Sequence, residues 1–212
     1  MKDGYRVIDS DLHVIEPGAV YEDYLDERYR QTGPKFLGLS PTDLPHWELQ
    51  GRMIPPWAQS DDVIGPQAHM HARNDEVYAP IRERGYDAAS ALMAMDTEGI
   101  DTAVLFRTFA HMVVSIDDLD PGLATACCAA FNDWLADYCE ADRRRLKPAA
   151  IVSLHDPELA AAEARRAVED KGHVAIVVLP MPVDGRYVHA PECDVIWQEA
   201  VRLGVPVAFH GT

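Results

Sequence analysis

The stretch Tyr5-Arg-Val-Ile-Asp-Ser-Asp-Leu-His-Val14 opens on β-branched residues and runs into alternating acidic and apolar positions, as in a buried strand whose end meets a cleft. The alternation downstream of it decides the fold. After Tyr86 apolar runs recur at Thr102–Phe106, Leu146–Leu154, His173–Leu179 and Val205–Phe209. Each is preceded by a segment of helical spacing: Asp87 to Gly99, Gly122 to Asp142, Asp156 to Gly172, and Glu192 to Leu203. Asp156 before Pro157 reads as an N-cap, and Gly99 and Gly204 read as C-terminal stops. Strands apolar on both faces and alternating with helices predict a parallel sheet covered by helices.

Two architectures fit that pattern. A doubly wound sheet places a Gly-rich phosphate turn after its first strand, but Val14-Ile-Glu-Pro17 stands there, and neither GxGxxG nor a Walker motif occurs anywhere. A flavodoxin-like nucleotide binder is therefore disfavoured. A (β/α)8 barrel predicts polar residues at the carboxyl ends of several strands, converging on one mouth. Asp11 and His13 on the first strand, Arg107 after the second and His210 after the fifth fit that expectation. Five of eight barrel strands are accounted for, whereas complete barrels take about 250 residues. The expectation is thus a single incomplete barrel domain over residues 1–212, completed by a second chain or a missing C-terminal part, or in a homo-oligomer.

Composition narrows the partners. With 35 acidic against 19 basic side chains, the net charge of -16 removes the nonspecific attraction to phosphate on which nucleic-acid and anionic-membrane binding rest. No apolar run approaches the roughly 18 residues of a membrane span, and Met-Lys-Asp-Gly-Tyr lacks the apolar region of a signal peptide, so none is expected. Cys127, Cys128, Cys139 and Cys193 lack a CxxC pairing and read as buried thiols, so the expected compartment is the cytoplasm.

Residues two apart on a strand share a face, so Asp11 and His13 are expected to look into the mouth together, with Asp9 deeper on the same side. With His210 they offer one oxygen and two nitrogen donors. Such a set suits one divalent ion, Zn²⁺ first and Mn²⁺ or Fe²⁺ where the oxygen share is larger. Taken singly, each residue reads better as a turn cap or a hydrogen-bonded strand end; three at one face reverse that preference. Arg107 could clamp a substrate carboxylate or serve a surface or intersubunit salt bridge, and His111 could line the mouth or cap a loop.

Residues 17–85 hold eight of the fifteen prolines and read as a long excursion with short helices, such as Tyr21 to Arg30. His69-Met-His71 lies there without an apolar strand to aim both rings, and reads as a solvent-facing or lid pair. Trp47, Trp57 and Tyr78 either wall a substrate or anchor the loop. His155-Asp156 resembles a dyad, but Asp156 is needed as a cap. Arg143-Arg-Arg145 closes a helix, where cations complement the dipole.

The segment Ile8-Asp-Ser-Asp-Leu-His-Val-Ile-Glu-Pro17, the run Gly85-Tyr-Asp-Ala-Ala-Ser90 leading to Met95-Asp-Thr-Glu-Gly-Ile-Asp101, the pair Asn132-Asp-Trp134, and Val207-Ala-Phe-His210 together resemble the amidohydrolase superfamily. Within it they are most similar to the amidohydrolase 2 branch of metal-dependent hydrolases and decarboxylases. The resemblance implies a distorted (β/α)8 barrel with one divalent metal at its mouth. It maps the strand-one ligands to Asp11 and His13 and the strand-five histidine to His210. The family's strand-six histidine and strand-eight aspartate have no counterpart here, so catalytic residues beyond the ligands are not assigned.

The leading expectation is therefore a metal-dependent enzyme, or its metal-binding part, that hydrolyses or decarboxylates a small carbonyl- or carboxylate-containing molecule, which could be aromatic. An acidic first ligand tilts the resemblance toward decarboxylation. The alternative is a non-catalytic half-barrel with a structural or regulatory role.

Overall fold

The computed structural model describes residues 4–39, 45–55, 79–80 and 83–211. Its main sheet is parallel, with strands in the spatial order β1 (Ile8–His13), β5 (Thr102–Phe106), β6 (Leu146–Ile151), β7 (Ala175–Val178) and β8 (Val207–Phe209). The helices α2 (Ala88–Glu98), α4 (Pro121–Cys139), α5 (Pro157–Lys171) and α6 (Asp194–Leu203) alternate with those strands, as the sequence predicts. Three of these four helix starts, all but that of α6, are built by acidic caps. Asp120 accepts from Leu123 N at 2.8 Å before Pro121, and Asp156 accepts from Glu158 N at 2.9 Å and Leu159 N at 3.2 Å before Pro157. At the other end Gly172 takes φ 78° and Gly204 φ 68°, a left-handed turn that a Cβ would strain, and each delivers the chain to the next strand.

Burial is greatest in the middle of the sheet. Every residue of β7 is buried, as are all but one of β5 and of β6, while β8 shows no buried residue and β1 none. Ala103, Leu105, Leu146 and Ile176 pack with Phe131 and Leu135 of α4 at 0% exposure. Asn132, also at 0%, ties this layer together. Its amide nitrogen donates to Ile151 O at 3.0 Å and Glu163 Oε1 at 2.7 Å, and its oxygen accepts from Ile151 N at 2.9 Å. β5 pairs with β6 only from Leu146 to Pro148, so the Asn132 carboxamide takes the place of a strand partner above that point.

The sheet is curled. β1 and β8 are its two edges, and four flat inter-strand steps would hold them about 19 Å apart. Yet the Asp11 carboxylate stands 2.9 Å from the His210 imidazole. A half-barrel meets that distance and a flat doubly wound sheet does not.

The excursion is where expectation and structure part. Instead of one helix over Tyr21 to Arg30, the chain forms α1 (Val20–Tyr24), turns extended at Leu25, and restarts as a 3-10 turn (Glu27–Tyr29) capped by Asp26. Beyond it lies a three-stranded antiparallel sheet of β2 (Lys35–Leu39), β3 (Pro45–Leu49) and β4 (Arg52–Ile54), in the order β2-β3-β4. Trp47 anchors it to the barrel. It is 1% exposed, donates to Gly18 O at 2.8 Å, and packs against Tyr21 and Phe109 at ring separations of 5.8 and 6.3 Å. His69, His71, Trp57 and Tyr78 lie outside the described residues. A short α3 (Ala110–Val113) also appears after β5. The four cysteines are free and buried. Among the described residues no helix is long and apolar enough to cross a membrane.

Candidate metal centre

The Asp11–His13 end of β1 contains a bulge. Asp9 pairs with Ala103 and His13 with Phe106, so four steps on β1 match three on β5. The extra residue reverses the alternation of faces, and Asp9 does not share the face of His13 as simple parity predicts. Its carboxylate turns back to accept from Asp11 N at 3.0 Å. The bulge thereby re-aims Asp11 across the mouth toward β8.

Asp11, His13 and His210 come together as expected. Asp11 Oδ1 is 2.9 Å from His210 Nε2 and 3.6 Å from His13 Nε2, and the two Nε2 atoms are 3.2 Å apart. Two donors about 2.0–2.1 Å from one tetrahedral zinc stand about 3.3 Å apart, and cis donors on an octahedral ion stand about 3 Å apart. The triangle has that size. Two imidazole nitrogens facing each other at 3.2 Å also repel unless a proton or a cation lies between them, so this donor set fits a divalent ion. The His13 pKa is pushed below the ordinary imidazole value by burial first and then by His210, with Asp11 opposing. That favours the neutral, metal-binding form.

Arg107 and His111 both reach this mouth. Arg107 is 2% exposed, and its Nη2 donates to the His210 carbonyl, tying the end of β5 to the end of β8. Its Nη1 is buried with no partner among the described residues. Burial draws its pKa down to about 10, with Glu16 and then Asp11 the largest opposing charges. Among the described residues Arg107 makes no salt bridge, and at 2% exposure it is not a surface residue. His111 is 4% exposed, and burial, followed by Arg107, His210 and His13, drives its pKa down to about 3. The lowered value favours the neutral imidazole.

Two residues of this site were not singled out in the sequence. Glu16, 1% exposed, receives Thr108 N, Phe109 N and Ala110 N on one oxygen at 3.0, 2.9 and 2.9 Å, while burial pushes its carboxyl up. Thr108 Oγ1 donates to Val14 O at 2.7 Å and lies 3.3 Å from His13 Nδ1. The partners of Glu16 are 92 to 94 positions away, and the only local signal is an acid in an otherwise apolar Val-Ile-Glu-Pro turn. The Phe106 ring stacks on His210 at 5.1 Å and 27°.

The decoys resolve structurally. His155 Nε2 meets Ile116 O at 2.9 Å and its Nδ1 meets Ser153 Oγ at 2.6 Å, while Asp156 caps α5, so the two form no dyad. Arg143 and Arg145 hold Lys171 O and Ile100 O at 3.2 and 2.8 Å.

Comparison with known proteins agrees with this geometry. A family model described as Amidohydrolase matches residues 8–212. Gamma-resorcylate decarboxylase of Rhizobium radiobacter is 32% identical over 124 residues, covering 56% of this chain and 37% of that protein. The enzyme of the same name from Polaromonas sp. is 30% identical over 142 residues, 64% of this chain and 43% of its own length. Among solved structures, an amidohydrolase from Mycobacterium avium subsp. paratuberculosis superposes with a TM-score of 0.70 at 24% identity, over 99% of this chain and 59% of that one. The 5-carboxyvanillate decarboxylase of Novosphingobium aromaticivorans, with bound manganese, gives 0.61 at 23% identity, over 99% and 51%. The chain spans about two fifths of the curated relatives and half to three fifths of the solved ones. With the curled parallel sheet, the metal-sized donor triangle and a family match over nearly its whole length, the chain belongs to the amidohydrolase family.

Proposed function

We propose that this chain carries the metal-binding half of a metal-dependent carboxy-lyase that removes a carboxyl group from a hydroxylated aromatic acid. The observation that carries the reading is the Asp11–His13–His210 triangle beside the buried, incompletely paired guanidinium of Arg107. Asp11 Oδ1, His13 Nε2 and His210 Nε2 would hold the ion. When bound, it supplies a Lewis-acidic charge that holds and polarises substrate oxygens. Manganese is the ion favoured, because related decarboxylase structures contain it; zinc, the first expectation from the donor types, is the competitor.

Arg107 would pair with a substrate carboxylate through its unoccupied Nη1. A charged hydrogen bond in so buried a setting is stronger than its surface counterpart and resists screening by salt. The neutral His111 would donate or accept at the same wall. Phe106, stacked under His210, would limit the tilt of that ligand. The non-catalytic alternative finds no support, since a scaffold kept only for packing has no use for an unpaired buried cation next to three converging donors.

The same proposal includes completion of the mouth by further β/α units, from another segment or another chain. β1 and β8 each have one strand neighbour among the described residues, and Ile8 and Phe209 are 61% and 58% exposed.

Calorimetric titration of the chain with Mn²⁺ and Zn²⁺ is expected to give one site, lost in Asp11→Asn and in His210→Ala. With metal present, 2,6-dihydroxybenzoate is expected to bind, and Arg107→Met to weaken it about 10-fold or more. A chain that binds neither ion, or keeps full stoichiometry in both ligand variants, sinks the reading.

A further inference from the structure

We propose that Thr108 is a positioning residue for the metal centre, holding His13 in the tautomer that carries its proton on Nδ1. The inference rests on the metal reading above and adds a residue that binds neither metal nor substrate.

The direction of the hydrogen bonds fixes the tautomer. A threonine hydroxyl has one proton to give. Thr108 Oγ1 is 2.7 Å from Val14 O, and a carbonyl can only accept, so the proton goes there. Toward His13 Nδ1, at 3.3 Å, the hydroxyl is then left as an acceptor. A neutral imidazole that meets an acceptor at Nδ1 puts its proton on Nδ1. The lone pair falls on Nε2, the atom that faces Asp11 Oδ1 and His210 Nε2. The opposite tautomer would point an N–H into the donor triangle and exclude a cation.

Thr108 can do this because its own place is fixed. It is 5% exposed and belongs to the turn whose three successive backbone N–H groups converge on Glu16 Oε1. The turn also carries Arg107 on one side and His111 on the other, so the buried carboxylate positions both at once. The Arg107 backbone offers the His13 ring a second acceptor. Removal of the hydroxyl is therefore expected to loosen the preference without abolishing it.

The test uses the whole chain with ¹⁵N-labelled histidine. In the metal-free wild type, the His13 ring nitrogen shifts are expected to report a protonated Nδ1. Thr108→Val is expected to raise the share of the other tautomer and to weaken Mn²⁺ and Zn²⁺ binding about 10-fold, while Thr108→Ser, which restores the hydroxyl, returns both toward wild type. Thr108→Ala gives the same readouts if the valine variant folds poorly. A wild-type ring protonated on Nε2 overturns the inference without any variant, and so does a folded Thr108→Val with wild-type tautomer and affinity. A wild type that binds neither ion instead overturns the metal reading on which the inference stands.

Discussion

Replacing Asn132 tests the packing that frames the mouth. Its carboxamide makes three buried hydrogen bonds, two with the amide and carbonyl of Ile151 at the end of β6 and one with Glu163 of α5. Asn132→Ala leaves the Ile151 N–H and C=O without partners, because β5 has already diverged from β6 there. Each orphaned group costs about 1–3 kcal/mol, so the loss is about 2–6 kcal/mol. Glu163 softens it by keeping Arg166, whose Nε lies 2.7 Å from Oε2. Against a total of about 5–15 kcal/mol for an ordinary domain, a loss near 3 kcal/mol is large and lowers Tm by about 6–12 °C for a chain of this size. Asn132→Asp is expected to cost more still: it keeps the acceptor for Ile151 N–H but aims a carboxylate at Ile151 O and Glu163. Urea unfolding at equilibrium and calorimetry measure both variants. An alanine variant within about 1 kcal/mol of wild type, or an aspartate variant more stable than the alanine one, would show that Asn132 is not the missing strand partner.

The remaining expectations concern acid, sterics and capping. His173 donates to Asn132 O at 3.0 Å, and burial lowers its pKa to about 4. Between about pH 6.5 and 4 the unfolded chain binds the proton that the folded one refuses, so stability falls with pH across that window, by on the order of 3 kcal/mol at full extent. His173→Gln, which keeps a donor, should flatten the pH slope of unfolding by about one proton, and an unchanged slope would exclude His173 as the source. A Cβ at Gly18 would overlap the Phe36 ring, so Gly18→Ala should push that ring off and cost about 1–3 kcal/mol, visible in the Trp47 fluorescence; no change would mean the ring has room to move. Asp156→Ala should cost about 1 kcal/mol through the lost α5 cap and leave metal affinity unchanged, whereas weakened metal binding would revive the His155-Asp156 pair as a functional one.

The repeat of helix and strand was readable because each central strand is a short apolar run and most helices carry their own stop or cap, as at Gly99, Asp156 and Gly204. Thr102–Phe106 is observed with its expected bounds. The excursion was not readable, because β2 to β4 are at most five residues long and contain Gly38 and Pro45, which act as breakers in any local reading. Trp47 and Leu49 alternate with His46 and Glu48, so half the strand signal was present and was outweighed by the prolines around it. At the candidate site, residue type and strand-end position were enough to expect Asp11, His13 and His210 at one mouth, where the structure brings them together, with Arg107 and His111 nearby. They could not show the β1 bulge, which depends on pairing with β5, nor Glu16, whose partners are set by the tertiary fold.

The geometry divides stability from chemistry along the sheet. β5, β6 and β7 are buried on both faces and hold the core, but within their own spans they supply no ligand. The proposed donors come from β1 and from the residue after β8, the least buried strands of this sheet and its two edges. Asp11 and His210 are 199 positions apart and meet only because the sheet between them curls. A core substitution in β6 or α4 that flattens that curl would therefore weaken metal binding without touching a donor. Exchanging a donor, by contrast, removes a side chain from an edge whose packing contributes little, Asp11 being 58% exposed, and should leave the fold almost as stable as before. The Asn132 variants and the Asp11→Asn chain, compared for metal affinity and unfolding free energy together, separate the two effects. Loss of affinity in the first group should track loss of structure, and in the second it should not.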